Sequence, residues 1–106
     1  MTAKVELVYD RDCPNADGAR GVLRVALNAA GLEPQWIEWD RGEATSPAYT
    51  THYGSPTILV NGEDVSGEGG ESDANSCRVY KAPDGTLQGV PSVESVLAAL
   101  RRAEVG

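Results

Sequence analysis

The chain has 106 residues, of which 41% are hydrophobic and 24% charged, as expected for one globular domain. Nine Lys and Arg against sixteen Asp and Glu give a net charge of −7, which argues against a general nucleic-acid binder because such proteins need cationic surface. No apolar run is long enough to cross a membrane, and the first residues lack the apolar stretch of a signal peptide. We therefore expect a cytoplasmic protein with no membrane partner.

The first elements in chain order are a strand and an amphipathic helix. Residues 3–9 carry apolar side chains on both faces, which predicts a central strand. Helical periodicity runs over 16–30, Pro14 suits a first helical position, and Gly31 suits a C-cap. The apolar residues of this helix form one stripe at helical spacing: Ala19, Val22, Leu23, Ala26, Leu27 and Ala30.

The middle of the chain predicts a second strand over 35–39, with Trp36 and Trp39 on opposite faces. Ser46-Pro47 is a suitable start for a short helix over 46–53. Thr57-Ile58-Leu59-Val60 predicts a third strand, which ends at the turn signal Asn61-Gly62.

The last part of the chain predicts an acidic loop, a strand and a helix. Residues 62–76 are rich in Gly and acidic residues and contain one apolar side chain larger than Ala, so we expect a flexible loop. A short fourth strand is predicted over 77–80, and a helix over 93–103 with Ser92 as its N-cap. The predicted order is β-α-β-α-β-β-α, an α/β fold with a four-stranded mixed sheet and helices on both faces. Strands 1 and 2 should be parallel, and strands 3 and 4 antiparallel.

Two motifs carry a resemblance to a known fold. Cys13-Pro14-Asn15-Ala16 follows the first strand, and Gly54-Ser55-Pro56-Thr57 precedes the third. This arrangement resembles the thioredoxin/glutaredoxin fold over roughly 3–60 and 77–103. Together with Ser76-Cys77-Arg78-Val79-Tyr80, it is similar to small bacterial thioredoxin-like proteins, some of which are loosely associated with alkylmercury lyase or mercury resistance.

The resemblance implies that residues 1–106 form a single thioredoxin-like domain. It implies a cis Ser55-Pro56 bond close to Cys13, with Cys13 and Pro56 as the catalytic residues. Thioredoxins have Cys-x-x-Cys, and here Ala16 stands in place of the second cysteine. Dithiol exchange within the motif is therefore impossible.

The surroundings of Cys13 favour and oppose its thiolate at the same time. A helix N-terminus and Arg11 favour the anion, whereas the nearby carboxylates of Asp10, Asp12 and Asp17 oppose it. We expect Cys13 to be partly exposed and to react faster than Cys77. The alternative is a small buried apolar residue at the end of a strand.

The role of Cys77 stays open at this stage. It is either a core residue of the fourth strand or a partner of Cys13, acting as resolving thiol or second sulfur ligand. His52 is more simply explained as a solvated residue at a helix end than as a base or ligand beside Cys13. Cys13, Cys77 and His52 together fall short of the four ligands of a structural zinc site.

Three functions of different classes fit these residues. The first is a monothiol redox protein, in which Cys13 forms a mixed disulfide with a protein or low-molecular-weight thiol or disulfide and an external thiol resolves it. Backbone beside Pro56 would then align the partner chain. The second is a soft-metal protein that binds mercury or copper(I) through Cys13 and Cys77. The third is a non-catalytic interaction domain. We predict no cofactor, and the sequence leaves the oligomeric state open.

Overall fold

The protein is an α/β fold with a four-stranded mixed sheet and two α-helices. The structure is a computed structural model that describes residues 4–66, 80–81 and 84–105. Its elements are β1 (Val5–Tyr9), α1 (Ala16–Ala29), β2 (Ile37–Asp40), a 3-10 helix (Ala48–His52), β3 (Thr57–Val60), β4 (Glu63–Asp64), β5 (Tyr80–Lys81), β6 (Leu87–Gln88) and α2 (Val93–Val105). None of the helices described is long and apolar enough to cross a membrane.

The four-stranded sheet has the strand order β2-β1-β3-β4, which places β1 in the centre, as its two apolar faces predict. β1 runs parallel to β2, as predicted, and antiparallel to β3. Its N-terminal end is held by Asn61: Lys4 N donates to Asn61 Oδ1 over 2.8 Å, and Asn61 N donates to the Lys4 carbonyl over 2.8 Å.

The fourth strand of this sheet is not the predicted one. Asn61 and Gly62 both have positive φ, 52° and 84°, and form a two-residue turn that leads directly into β4. β4 pairs antiparallel with β3, so residues 63–64, which were predicted as loop, are strand. Val65, the one large apolar residue predicted in that loop, is buried in the core. Residues 67–76 lie outside the described part of the chain.

Tyr80 belongs to a different sheet from the one predicted. β5 pairs antiparallel with β6 in a separate two-stranded sheet, because its partner strand comes after the Asp84-Gly85 turn and not from β3. The other residues of the predicted strand, 77–79, lie outside the described residues.

The core lies between one face of the four-stranded sheet and the two α-helices. The apolar faces of both helices supply it, with Leu23, Leu27, Val96 and Leu100 fully buried or nearly so. The 3-10 helix replaces the short α-helix predicted over 46–53, and it contacts the opposite face of the sheet, where Tyr49 bonds to Glu6.

The helix termini are partly as predicted. Ser92 caps α2, since Ser95 N donates to Ser92 Oγ over 3.1 Å, and Gly31 has a φ of 75° just after α1. Pro14, however, is not the first residue of α1. The helix begins at Ala16, and Asn15 is its N-cap.

Candidate active site around Cys13

Cys13 lies in the loop that joins the central strand β1 to α1. Its side chain is 8% exposed, so the expectation of partial exposure was wrong, although Asp12 and Pro14 on either side are exposed. Cys13 N donates to the Asp10 carbonyl over 2.9 Å, and Ala16 N donates to the Cys13 carbonyl over 3.3 Å. These two turns fix the backbone of Cys13 between the end of β1 and the start of α1.

Asp10 connects the Cys13 loop to the rest of the molecule. Its carbonyl accepts from Cys13 N, and its own N–H donates to Ser55 Oγ over 2.8 Å. Its carboxylate accepts two bonds from Arg41 Nη1, at 2.8 and 2.7 Å. The Arg41 side chain is 10% exposed and that of Asp10 is 36% exposed, so this ion pair is partly buried and holds Asp10 in place.

The segment of Pro56 lies next to Asp10. The Ser55-Pro56 peptide bond is cis, as predicted, and both residues are buried. The Tyr80 hydroxyl donates to the Pro56 carbonyl, which ties the two-stranded sheet to this segment. Ser55 and Cys13 thus both form hydrogen bonds to the backbone of Asp10. Direct contact between Pro56 and Cys13 stays a prediction.

The start of α1 has no side-chain cap. Asn15 occupies the N-cap position but makes no capping bond, because its amide lies against Gly89 in the segment before α2. N–H groups in the first turn of a helix have no partner within the helix, and they attract anions. Asn15 caps none of the N–H groups of this first turn, although Ala16 N donates to the Cys13 carbonyl, and the positive end of α1 close to Cys13 favours negative charge.

Acidic side chains dominate the surface around the loop. A cavity of about 390 Å³ lies beside it, lined by Asp10, Arg11, Asp12, Asp40 and Gly42. Arg11 bonds to Asp40 Oδ2 at 3.2 Å and to Glu43 Oε1 at 2.6 Å. The negative charge of Asp40 is the largest cause that raises the pKa of the Arg11 guanidinium, and the hydrogen bond between the two side chains is the second. Because Arg11 already pairs with Asp40 and Glu43, it does little to neutralise the negative charge of the exposed Asp12.

The other residues predicted for the site have different outcomes. Cys77 lies outside the described residues, so its part in a disulfide or in metal binding stays a prediction. His52 is the exposed last residue of the 3-10 helix, as its simpler interpretation predicted. Within residues 4–66, 80–81 and 84–105, no three His, Cys, Asp or Glu side chains form a group suited to a metal ion.

Sequence reasoning missed the partners of Asp10. The sequence indicates Asp10 only as a charge that opposes the thiolate, whereas in the structure its carboxylate pairs with Arg41 and its backbone holds Cys13 and Ser55. Arg41 directly follows β2, which runs parallel to β1, so the two strand ends meet at one edge of the sheet. This parallel pairing was the signal that could have brought Asp10 and Arg41 together.

No family model, curated protein or solved structure matches the chain.

Proposed function

We propose that the chain is a thioredoxin-like, thiol-dependent redox protein in which Cys13 alone performs the exchange step, with a protein or low-molecular-weight thiol or disulfide as its substrate. One observation carries this proposal: the backbone of Cys13 is fixed by Asp10 at the end of the central strand, directly before a helix start that lacks a side-chain cap. A cysteine in this position gains from the positive end of the helix.

The exchange step needs a single thiolate. Cys13 Sγ attacks one sulfur of a substrate disulfide, the Sγ–S bond forms, and the old S–S bond breaks. The departing sulfur leaves with the electron pair as a thiolate and takes a proton from water. Because Ala16 cannot act as a resolving thiol, a second thiol from outside the motif attacks the mixed disulfide and restores Cys13.

The connection through Asp10 supports a role for Ser55-Pro56 in this step. Ser55 Oγ accepts from Asp10 N, and Asp10 O accepts from Cys13 N, so the segment before β3 and the cysteine loop are held together. An extended substrate chain could pair with backbone beside Pro56 and bring its disulfide to Cys13.

The test is a reaction with the neutral disulfide 2,2′-dithiodipyridine, followed by mass spectrometry of the intact chain. We expect Cys77→Ser to release pyridine-2-thione and gain one thiopyridyl group on Cys13. Cys13→Ser should react slowly or not at all in the folded state. Added glutathione should then release the modified Cys13. The proposal would be overturned if the folded Cys13→Ser variant reacted as fast as the folded Cys77→Ser variant.

A further inference from the structure

A second cavity, here called the Glu6 cavity, lies at the opposite end of β1 from Cys13. It has a volume of about 560 Å³ and is lined by Lys4, Glu6, Tyr49, Tyr53, Asn61 and Gly62. Cavities of roughly 300–1,000 Å³ are typical of small-molecule sites. The cavity is formed by the start of β1, the turn between β3 and β4, and the 3-10 helix, none of which takes part in the chemistry of Cys13.

Glu6 is a carboxylic side chain in the centre of the sheet, and it is only 1% exposed. Trp39 Nε1 donates to its Oε2 over 2.7 Å, and the Tyr49 hydroxyl donates to the same oxygen. Among the described residues, no group donates to Oε1. Oε1 is thus the carboxylate oxygen with which an N–H group of a ligand could form a hydrogen bond.

The remaining walls of the cavity suit a cation. Tyr49 and Tyr53 contribute aromatic rings, whose faces attract ammonium groups. The hydrogen bond to Glu6, followed by burial, raises the pKa of Tyr49 to about 12, so its hydroxyl stays protonated at neutral pH and keeps donating. Both protein donors therefore remain on Oε2, and Oε1 is left for an incoming N–H group.

We propose that the Glu6 cavity binds a small organic ammonium ion. The ammonium group donates to Glu6 Oε1, and its hydrocarbon part lies against the rings of Tyr49 and Tyr53. This site is separate from the proposed redox function, because it depends on neither Cys13 nor the loop that holds it.

Lys4 is the competing cation within the chain. It lies two residues before Glu6, on the same side of the strand, and lines the same cavity. No ion pair joins Lys4 to a carboxylate among the described residues, so its ammonium does not satisfy Glu6 in this structure. Removing its charge should strengthen the binding of an external amine, because two like charges then no longer compete for one carboxylate.

The experiment is a titration of the 106-residue chain with phenethylamine, monitored through the amide chemical shifts in two-dimensional NMR. The neutral alcohol 2-phenylethanol has nearly the same shape and serves as the matched ligand. We expect saturable shifts at Lys4, Tyr53, Asn61 and Gly62 with the amine. The alcohol should bind about tenfold more weakly or worse, as expected for loss of a hydrogen bond between charged groups.

Variants separate the role of Glu6 from a general effect of negative charge. Glu6→Gln keeps an acceptor for Trp39 and Tyr49 and should bind phenethylamine about tenfold more weakly. Glu33→Gln removes the same charge at an exposed position and should bind like the native chain. Tyr53→Leu gives an independent test if Glu6→Gln fails to fold, and it should weaken binding through loss of an aromatic wall. Lys4→Gln should strengthen it.

Several results would overturn the proposal. They are the absence of saturable shifts in the native chain, equal binding of amine and alcohol, and unchanged binding in Glu6→Gln or, where that variant does not fold, in Tyr53→Leu. Binding that appears only in Lys4→Gln would also overturn it, because Lys4 itself would then occupy the carboxylate of the native protein.

Discussion

Gly89 lies directly against the side-chain amide of Asn15: a β-carbon at position 89 would stand 2.2 Å from Asn15 Nδ2. Asn15 is the N-cap of α1 and follows Cys13 by two residues. The segment that leads into α2 is therefore packed against the loop that carries the candidate nucleophile. This contact keeps Asn15 away from the N–H groups it would otherwise cap.

Gly89→Ala should disturb this contact. The methyl group forces the Asn15 side chain to move, and overpacking of this kind costs about 1–3 kcal/mol, here near the lower end because a short side chain can rotate. An Asn15 side chain turned toward the helix can cap it, so we expect slower reaction of Cys13 with 2,2′-dithiodipyridine. Urea unfolding and the rate of thione release measure the two effects.

Gly21→Ala is the matched control for that variant. Gly21 lies in α1, the helix whose N-cap is Asn15, and a β-carbon there meets nothing within 4 Å. It should raise the free energy of unfolding by about 0.5–1 kcal/mol through helix propensity and leave the rate at Cys13 unchanged. Equal rates in Gly89→Ala and Gly21→Ala would show that Asn15 has no influence on Cys13.

The acidic surface around Cys13 should select substrates by charge. Cystamine, a cationic disulfide, should form the mixed disulfide faster than the anionic 3,3′-dithiodipropionate, after correction for their rates with the unfolded chain. The difference should shrink as salt is added, because surface charges are screened over about 8–10 Å at physiological ionic strength. Asp12→Asn should reduce the preference and the distant Glu33→Gln should not. A preference for the anionic disulfide would contradict this account of the surface.

Tyr49 should titrate above the ordinary pKa of a tyrosine. Its hydrogen bond to Glu6 raises its pKa from 10 to about 12, which favours the neutral phenol in the folded state. The stabilisation is thus fully present below pH 10 and is lost as the pH rises toward 12. Tyr49→Phe should cost about 1 kcal/mol at neutral pH, the low end for a bond to a charged group because the side chain is partly exposed.

Two measurements check this prediction for Tyr49. Ultraviolet titration of tyrosinate should lose a step near pH 12 in Tyr49→Phe. The stability difference between native chain and Tyr49→Phe should narrow above pH 10. If this difference in stability stayed constant up to pH 12, the hydrogen bond from the Tyr49 hydroxyl to Glu6 would not be its source.

Glu38 should contribute to stability in a pH-dependent way. Hydrogen bonds from Arg20, at 2.8 and 3.1 Å, lower the pKa of Glu38 below its ordinary value of 4.5. A lowered pKa means that the stabilisation is present above pH 4.5 and is lost as the pH falls through the lower folded value. Glu38→Gln should therefore cost about 0.5–1 kcal/mol at neutral pH, as for partly exposed ion pairs, and less in acid.

Thermal unfolding of the native chain and Glu38→Gln across acidic pH measures this effect. Glu33→Gln, whose carboxylate forms no ion pair within the described residues, serves as the control and should show no such convergence. The prediction would be contradicted if the difference in stability between the native chain and Glu38→Gln grew below pH 4.5.

The helices and the central strand were predictable because burial leaves a periodic signature in the sequence. Leu23 and Leu27 of α1, and Val96 and Leu100 of α2, fall on one face at helical spacing and are the residues that the core buries. The strand β1 was predictable because its apolar residues occupy both faces. In each case, neighbouring positions alone carry the information.

The rest depended on contacts between distant residues. β4 consists of two acidic residues at the edge of the sheet, Glu63 and Asp64, which have no apolar alternation and read as loop. Glu6 reads as a solvated residue, yet it is buried because Trp39 and Tyr49, 33 and 43 residues away, donate to it. Cys13 was expected to be partly exposed from the polarity of its neighbours, which does not reveal how the folded loop covers it.

The most direct test of a nucleophilic Cys13 compares its reaction rate in the folded chain and in the urea-unfolded chain. Iodoacetamide modification of Cys77→Ser, followed by mass spectrometry at several pH values, gives both rates at one site. A cysteine that is only a buried apolar residue is protected by folding, whereas one positioned for exchange reacts faster when folded. We predict faster modification of Cys13 in the folded chain near neutral pH. Slower modification at every pH would contradict the redox function and favour a non-catalytic interaction domain.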